Sequence, residues 1–232
     1  MVLKLQVNIY SPEDNADKIN GFTIVVDVLR AFSVSYFINA NNPRKYIVVD
    51  SIEQAFKLKE IITDSLLIGE RQGIKINGFD FGNSPTEIIN QDFTNKTIIH
   101  TTTAGTKGLI VQKITNEVVA GSFVNLNALV EYIYNKKINV VNIYCTAPKN
   151  VTIGEEDYYF AEYLKSILLG NPLNFLTIVE KLKLGTGKGF SEKGFAPYSD
   201  FAYCMELNRF NKILSKKIVN NHDYQIELEE IY

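Results

Sequence analysis

Charged side chains stand at the end of two apolar runs of the chain. Asp27 and Arg30 come at the end of FTIVVDV, and Glu70 and Arg71 directly follow SLLIG. Carboxylate oxygens suit Mg²⁺, which uses few protein carboxylates together with waters and substrate phosphate. Arginine binds anionic oxygens through two parallel N–H groups. These residues therefore predict a metal-assisted site for a phosphorylated ligand, although pairing of each arginine with its neighbouring acid would explain them equally well.

The segment TTTAGTKG, at positions 101–108, combines hydroxyl groups with glycine after another apolar run. The free N–H groups and the dipole of a strand-to-helix turn favour an anion such as phosphate or sulfonate. The segment is not a Walker A motif. Neither is LKLGTGKGF, because Leu182 stands where the first glycine should be and Gly189 replaces the Ser or Thr. The competing interpretation is that the threonines only cap the following helix.

Spacing tests two other phosphatase chemistries. An enzyme of the haloacid dehalogenase type needs a second aspartate two residues after Asp27, but Leu29 stands there. A cysteine phosphatase needs an arginine six residues after its cysteine, and from Cys145 that position is Val151. We therefore disfavour both chemistries and expect Cys145 to be a buried small hydrophobe. His100, at a strand end, keeps two interpretations, an acid–base group near the threonines or a structural residue.

The elements that must position these side chains alternate between strand and helix. Leu3, Leu5, Val7 and Ile9 share one face of a half-buried strand, and 22–28 is the continuous apolar run of a strand covered on both faces. Alternation of strands with helices favours a layered α/β domain with a largely parallel sheet, which binds ligands at the carboxyl ends of its strands. Further strands are predicted at 45–49, 65–69, 96–101, 117–121 and 138–145.

Capping residues mark two helix starts. Ser51 and Gln54 form a capping box for the helix that begins SIEQAF. Ser84 and Glu87 are expected to do the same for PTEIIN, with Pro85 at its favoured first helical position. The glycine-rich stretch KLGTGKGFSEKG predicts a mobile loop between helical stretches.

Size, composition and charge exclude several classes of protein. With 232 residues, 46% apolar and 22% charged, the chain is of the globular type, and we expect one domain over residues 1–232. A net charge of −2 argues against nucleic-acid binding, which needs a basic surface. The two cysteines and two histidines lie far apart, so neither a zinc site nor a disulfide framework is expected. Without a predicted signal peptide or membrane span, we expect a cytoplasmic protein.

Five motifs follow one another along most of the chain, and their ordered series resembles that of the 2-phosphosulfolactate phosphatase family, the ComB-like proteins. The stretch GERQGIKINGFDFGNSP is the most specific, because its Gly, Asp, Asn and Ser positions recur in order. The resemblance implies a three-layer α/β/α fold with a mixed, largely parallel sheet, and a Mg²⁺-dependent phosphatase that converts 2-phosphosulfolactate to sulfolactate in coenzyme M biosynthesis. The motifs are VVDVLRA (25–31), GERQGIKINGFDFGNSPTE (69–87), TTAGT (102–106), GSFVN (121–125) and GFSEKG (189–194).

The resemblance also implies site residues, position by position. For metal ligands we expect Asp27, Glu70 and Glu156, on the chemistry of carboxylates alone. The expected partner is a small anionic phosphate ester, and a homodimer is left open because the sequence does not determine the oligomeric state. The expected catalytic residues are Asp27, Arg30, Glu70 and Arg71, and the expected substrate-binding residues are Asp80, Asn83, Ser84, Thr102, Thr103, Gly105, Thr106, Ser122 and Asn125.

The chain departs from the family pattern at two places. The family commonly has TTNGT where this chain has Ala104, and a glycine-rich turn before Ser-Leu-Glu-Asp where this chain has CTAPKNVTIGEED. Glu156 and Asp157 match the Glu-Asp pair, although their position at a helix start is also explained by the helix dipole. Two alternatives stay open: a paralogue that acts on another phosphorylated hydroxy acid, and a module that binds a phosphorylated ligand without catalysis.

Overall fold

The computed structural model describes residues 5–149, 154–191, 194–218 and 225–232. Leu3 and residues 150–153, 192 and 193 of the motifs discussed above lie outside them. The strands are β1 (Gln6–Tyr10), β2 (Thr23–Val26), β3 (Lys45–Val49), β4 (Ser65–Arg71), β5 (Ile74–Lys75), β6 (Thr97–Thr101), β7 (Val118–Gly121), β8 (Val140–Cys145), β9 (Leu214–Ile218) and β10 (Gln225–Glu230). The helices are α1 (Ala31–Ala40), α2 (Ile52–Ile61), α3 (Pro85–Ile88), α4 (Gly105–Ile110), α5 (Leu126–Asn135), α6 (Glu155–Leu168), α7 (Phe175–Leu184) and α8 (Tyr198–Cys204).

The strands form a mixed, largely parallel sheet in the order β1-β8-β2-β7-β9-β10-β3-β6-β4-β5. One parallel group contains β1, β8, β2 and β7, and the other contains β3, β6 and β4. The hairpin β9–β10 joins the two groups by antiparallel pairing on both of its sides. The prediction of an α/β fold is confirmed, with an antiparallel bridge that alternation along the chain does not indicate.

Helices pack against both faces of the sheet. Helices α5 and α6 cover one face of β2 and β8, while α2 covers β3, β4 and β6. Helix α1 is almost wholly buried, in an apolar cluster that contains residues of both parallel groups, from Val25 in β2 to Ile68 in β4. Helix α4, which follows β6, packs on β2. The ends of β2 and β6 are therefore drawn together although these strands belong to different groups.

Several strand bounds differ from prediction in a way that matters for the site. β2 ends at Val26, so Asp27 is the first residue beyond the strand rather than part of it. β4 continues through Glu70 and Arg71, because a two-residue turn at Gln72 and Gly73, both with positive φ, folds the chain back into β5. The predicted strand 45–49 agrees with β3.

The two predicted helix caps have different outcomes. Ser51 and Gln54 form the expected capping box at the start of α2. The Ser84 hydroxyl accepts from the N–H of Glu87, as predicted, but the Glu87 carboxylate accepts from the N–H of Gly82 at 2.7 Å instead of closing a box. The glycine-rich stretch contains the end of α7 and a 3-10 turn at Thr186–Gly189. Within the described part of the chain, no helix has the length and apolar character needed to cross a membrane.

Candidate active site

A cavity of about 610 Å³ opens where β2, β4 and β8 end. The turn after β6, the start of α6 and four later residues complete its walls, namely Thr186, Gly189, Phe190 and Phe195. Five of the sequence-predicted residues line this cavity, namely Asp27, Arg30, Glu70, Asn83 and Thr103, together with the expected metal ligand Glu156. Motifs that are far apart in the chain therefore meet at one place.

Asp27 is buried at the end of β2, where its carboxylate touches the start of two helices. Its Oδ1 accepts from the N–H of Ala31 at 2.9 Å, at the start of α1. A Cβ atom at Gly105 would lie 2.6 Å from the Asp27 Oδ2, so only glycine allows α4 to begin this close. Burial raises the pKa of Asp27, and the negative charge of Glu70 adds to the increase. This carboxylate is therefore costly to ionise unless a cation joins it.

Glu156 lies in the first turn of α6 and is only 5% exposed. Its Oε2 is buried and has no hydrogen-bond partner among the described residues. Burial raises the pKa of Glu156, and the negative charge of Asp27 raises it further. A buried carboxylate oxygen without a donor is the kind of group that a cation would satisfy.

Asp157, the next residue of α6, is engaged with the strand ends. Its Oδ1 accepts from the N–H of Val28 at 2.9 Å, and its Oδ2 accepts from the N–H and the hydroxyl of Thr146, both at 3.1 Å. Asp157 thereby fastens the start of α6 to the ends of β2 and β8. Burial and the charges of Asp27 and Glu156 raise its pKa. Its position at a helix start is explained in the sequence by interaction with the helix dipole. The hydrogen bonds show in addition that Asp157 connects α6 to residues distant in the chain.

Glu70 is buried, but its two carboxylate oxygens are fully engaged. Oε1 accepts from the N–H of Thr103 at 2.7 Å, and Oε2 accepts from the Thr103 hydroxyl at 2.9 Å and from the N–H of Gly73 at 2.7 Å. These bonds hold the β4–β5 turn against the turn that follows β6. Glu70 therefore organises this wall of the cavity, and fewer lone pairs are left for a metal than at Glu156.

Arg30 reaches the cavity from the start of α1 and is 6% exposed. Its Nη1 donates to the Oδ2 of Asp200 at 2.6 Å, and its Nη2 donates to the carbonyl of Gly73 at 3.0 Å. The rings of Phe190 and Phe195 lie 5.7 and 5.4 Å from its guanidinium carbon. The alternative interpretation, in which Arg30 pairs only with the neighbouring acid Asp27, is wrong, because its ion-pair partner is the distant Asp200.

Asn83 and Ser84 of the GNSP motif have different surroundings. Asn83 lines the cavity, is 4% exposed and has an Oδ1 without a partner in the described structure. The Ser84 hydroxyl donates to the Oδ1 of Asp200 at 2.7 Å and does not line the cavity. Asn83 is therefore placed to meet a ligand, and Ser84 supports the partner of Arg30.

The threonine turn uses most of its hydroxyl groups internally. The N–H of Thr102 donates to the Thr106 hydroxyl, and the N–H of Thr106 donates to the Thr102 hydroxyl, both at 3.1 Å. Thr103 lines the cavity, but its hydroxyl donates to Glu70. Ala104, at the N-cap of α4, lines the cavity too, so the first turn of that helix begins at the cavity wall. Both interpretations of this turn keep support: the threonines cap α4, and an anion could meet the helix start.

Eight predicted site residues do not line the cavity, namely Ser84, Thr102, Gly105 and Thr106, described above, and Arg71, Asp80, Ser122 and Asn125. Arg71 donates to the carbonyls of Glu70 and Asp50 and to the Thr101 hydroxyl. Asp80 is exposed, and its Oδ2 accepts from the N–H of Leu67 at 2.7 Å.

The other two predicted residues, Ser122 and Asn125, are fully buried where β7 ends. The Ser122 hydroxyl pairs with that of Ser33 at 2.5 Å, and the Asn125 Nδ2 donates to the Tyr36 hydroxyl at 2.6 Å. All these contacts are hydrogen bonds within the protein. The role of these residues in substrate binding stays a prediction.

His100 and Cys145 have surroundings of a structural kind. The Nδ1 of His100 shares a 2.7 Å hydrogen bond with the Tyr46 hydroxyl, and burial lowers the pKa of His100 to about 3. Cys145 has no exposed surface and belongs to an apolar cluster, as predicted. Burial raises the pKa of its thiol.

Sequence reasoning missed Asp200, Phe190 and Phe195, which contact Arg30, and Thr146, which contacts Asp157. Asp200 is 170 positions from Arg30. No local spacing connects such residues, so only the fold could reveal these pairs.

The donor set of the cavity fits a hard cation. No group of three or more His, Cys, Asp or Glu side chains arranged as a metal site is found among the residues described. Mg²⁺ commonly takes one or two protein carboxylates and completes its shell with waters and substrate phosphate. Asp27 and Glu156 supply two buried carboxylates with raised pKa values, and Glu156 Oε2 is without a donor. These two residues are the best candidates to hold such an ion.

Comparison with known proteins agrees with the motif series. The family model described as 2-phosphosulpholactate phosphatase matches residues 9–185. A relative from Bacillus subtilis is 31% identical over 74% of this chain and 74% of its own length. Relatives from Carboxydothermus hydrogenoformans and Clostridium perfringens strain SM101 are 37% and 33% identical, over 72% and 77% of this chain and 68% and 74% of their own lengths. All three relatives are named "Probable 2-phosphosulfolactate phosphatase".

Proposed function

The chain belongs to the 2-phosphosulpholactate phosphatase family, and from that premise we propose that it is a Mg²⁺-dependent hydrolase of a small anionic phosphate monoester. The observation that carries this proposal is the meeting of buried carboxylates and a fixed guanidinium in one cavity. Asp27 and Glu156 line it together with Arg30. Carboxylates that hold a cation and an arginine that binds phosphoryl oxygens are what phosphate ester hydrolysis needs.

The charge balance of the cavity supports the need for a cation. Asp27, Glu156 and Asp157 line the same cavity, and the charge of Arg30 is balanced by Asp200 at 2.6 Å. An anionic ester would meet net negative charge if these acids were ionised without a counter-ion. When bound, Mg²⁺ would polarise the phosphoryl group and lower the pKa of an attacking water. Asp27 and Glu156 would hold it, with Asp157 keeping the start of α6 in place.

The chain's own donors would bind the phosphoryl group. Arg30 keeps N–H groups beyond the two that donate to Asp200 and Gly73, and the residue lines the cavity. The start of α4 at Ala104 would add backbone N–H groups, which suit anionic oxygens. Both are held in place before substrate arrives, so they would stabilise the charge of the transition state without reorganisation.

We propose 2-phosphosulfolactate as the substrate, because the relatives carry that activity in their names. The product would then be sulfolactate, which would place the enzyme in coenzyme M biosynthesis. A second candidate is a phosphatase for another phosphorylated hydroxy acid. It is favoured by Ala104, which lines the cavity where the family commonly has asparagine, and by Pro148 and Gly154 of the altered segment, which line it too.

The experiment is an assay of phosphate release from three esters: 2-phosphosulfolactate, 2-phospholactate and an aryl phosphate. We expect turnover with Mg²⁺, its loss with a chelator, and the highest kcat/KM on the sulfonated ester. A preference for 2-phospholactate would support the second candidate. Stabilisation of the fold by these esters without phosphate release, with and without Mg²⁺, would contradict both and favour a binding module.

A further inference from the structure

We propose that Asp200, Phe190 and Phe195 form a receptor for the guanidinium group of Arg30, which makes Asp200 a positioning residue for the reaction. The inference rests on the proposed function in so far as it concerns catalysis. All three receptor residues follow residue 185, where the match to the family model ends. Asp200 and Phe195 also lie outside the five motifs that identified Arg30, whereas Phe190 belongs to the last of them, GFSEKG.

Asp200 is fixed by more than its ion pair. It lies in the first turn of α8 and has no exposed surface. Its Oδ2 accepts from Arg30 at 2.6 Å, while its Oδ1 accepts from the Ser84 hydroxyl at 2.7 Å and from the N–H of Thr86 at 3.0 Å. A carboxylate with donors on both oxygens cannot follow the arginine if that side chain moves. Asp200 therefore determines the position of the Arg30 guanidinium group and does not follow its movement.

Two aromatic rings border the guanidinium group. Phe190 and Phe195 lie 5.7 and 5.4 Å from its central carbon, and the two ring centres are 4.9 Å apart. Arginine is attracted to aromatic faces by electrostatics and by stacking. Gly73 has a φ of +80°, and a Cβ atom there would lie 2.8 Å from the Phe195 ring. The turn between β4 and β5 therefore closes on this ring only because residue 73 has no side chain.

The consequence is a guanidinium with some donors occupied and others left for a ligand. Of its five N–H groups, one on Nη1 donates to Asp200 and one on Nη2 donates to the Gly73 carbonyl. The group is 5% exposed and lines the cavity, so a ligand there meets donors whose direction is already set. Donors arranged in advance contribute most when they act on charge that develops in the transition state. We therefore expect Asp200 to influence kcat more than KM.

The receptor can be tested with free guanidinium ion. Arg30→Ala removes the side chain and leaves Asp200, the two rings and the Gly73 carbonyl around the space. We expect this variant to lose about 10²-fold or more in kcat/KM, and millimolar guanidinium to restore at least about 10-fold of the loss, by returning the charged group to the site. In Arg30→Ala/Asp200→Asn the same addition restores nothing. Equal rescue of both variants would overturn the proposal.

A readout without catalysis separates this proposal from the proposed function. Guanidinium, against a matched concentration of potassium chloride, should raise the Tm of Arg30→Ala and lower or leave unchanged that of the double variant. If the intact protein hydrolyses none of the esters yet this difference in Tm is found, the receptor stands and the proposed function falls. A Tm response that does not depend on Asp200 overturns the receptor.

A single substitution covers the case in which Arg30→Ala does not fold. Asp200→Asn keeps the size of the side chain and removes its charge, and we expect kcat to fall about 10-fold or more with a smaller change in KM. In an Arg30→Lys background, which lacks the planar fork, Asp200→Asn should have little further effect on kcat. Cys204→Ala changes another buried residue of α8 that does not line the cavity, and serves as the control. A loss in Asp200→Asn no greater than in Cys204→Ala would overturn the proposal.

Discussion

The two walls of the cavity carry the same kind of side chain and use it in opposite ways. On the wall formed by Asp27 and Glu156, here called the β2 wall, burial raises the pKa of both carboxyl groups and Glu156 Oε2 has no donor. On the wall formed by Glu70 and Thr103, here called the β4 wall, one carboxylate receives three hydrogen bonds. The exposure of Glu70 lies between those of the two acids of the β2 wall, at 6% against 8% for Asp27 and 5% for Glu156. Exposure alone therefore does not separate them.

The difference lies in where the donors come from. Glu70 meets backbone N–H groups at Gly73 and Thr103, which two neighbouring turns direct at it. Glu156 Oε2 accepts no hydrogen bond from the residues that the structure describes. A buried acid that the protein itself satisfies holds the site together, whereas one that it leaves unsatisfied requires a ligand or a proton. We therefore expect substitutions on the β2 wall to remove activity and those on the β4 wall to reduce activity and stability together.

The largest effect is expected from Asp27→Asn. The amide keeps the size of the side chain but removes the charge that a metal needs, so turnover should fall by about 10³-fold or more. The fold should not suffer, because the buried carboxylate has a raised pKa and a neutral group is less costly there. Steady-state kinetics over a Mg²⁺ titration, with Tm measured in chelator, checks both points. Undiminished turnover at limiting Mg²⁺ would remove Asp27 from the metal site.

The next effect is expected from Glu70→Gln. Glutamine offers one carbonyl oxygen to three donors and brings an NH₂ group against N–H groups, so at least one donor is left unpaired. We expect a loss of about 1–3 kcal/mol in unfolding free energy and, because the turn at Thr103 and Ala104 is displaced, about 10–10²-fold in kcat/KM. Urea unfolding and kinetics on the same sample would check it. A variant that loses all activity at unchanged stability would assign Glu70 to the metal and erase the contrast between the walls.

Thr103→Val should act more weakly on the same wall. Its hydroxyl donates to Glu70 and accepts from the N–H of Gln72, so the substitution removes two hydrogen bonds while the N–H of residue 103 remains in place. We expect about 1 kcal/mol less stability and about a 10-fold lower kcat. Inhibition by inorganic phosphate distinguishes the two interpretations of the turn. Weaker inhibition would make Thr103 a phosphate ligand, whereas unchanged inhibition with a lower Tm would leave it as a support for Glu70.

The pH dependence of stability should report on the β2 wall. Folding raises the pKa of Glu156 to about 8 and that of Asp157 well above its usual range. Between pH 6.5 and 8 these acids are already ionised in the unfolded chain but are still partly protonated in the folded chain. Since the folded state binds more protons, the unfolding free energy falls as the pH rises. His100 opposes this trend only near pH 6.5, where an ordinary histidine in the unfolded chain is still partly protonated and the folded residue, with a pKa of about 3, is not.

The size of that trend can be checked by urea unfolding in chelator at several pH values. One unit of pKa difference corresponds to about 1.4 kcal/mol, and Mg²⁺ should stabilise the protein more at pH 8 than at pH 6.5. Glu156→Gln serves as the matched variant, in which the slope should be shallower. A flat profile above pH 7 in the parent protein would mean that these acids are already ionised in the folded state without a cation.

How much of this contrast could be predicted depends on distance along the chain. The strand 45–49, the capping box of Ser51 and Gln54 and the position of Asp27 at a strand end follow from local patterns, and the structure has them. The hairpin β9–β10, which separates the two parallel groups, does not follow, because pairing between strands distant in sequence depends on packing of the whole sheet.

For the site, residue type predicted the kind of chemistry but not the partners. Nothing near Arg30 indicates Asp200, and nothing near Glu70 shows that Thr103 and Gly73 satisfy its oxygens. Whether a buried acid is satisfied or not is a property of turns that meet only in the folded chain. The sequence therefore indicates the acids of both walls but does not show which of them lacks hydrogen-bond donors.

The smallest effect is expected from Cys145→Ala, which tests whether catalysis needs a group outside both walls. Cys145 ends β8, is fully buried in an apolar cluster and has a thiol whose pKa is raised by burial and then by the charge of Asp157. A thiol that does not ionise is a poor nucleophile. Removing the sulfur should lower the unfolding free energy by about 1 kcal/mol, as for a small core truncation, and leave kcat and its Mg²⁺ dependence unchanged. The measurement is a Mg²⁺ titration of phosphate release beside urea unfolding, with the parent protein in parallel. Loss of turnover in a folded Cys145→Ala protein would indicate covalent chemistry at sulfur, and the contrast between the β2 and β4 walls would then no longer explain activity.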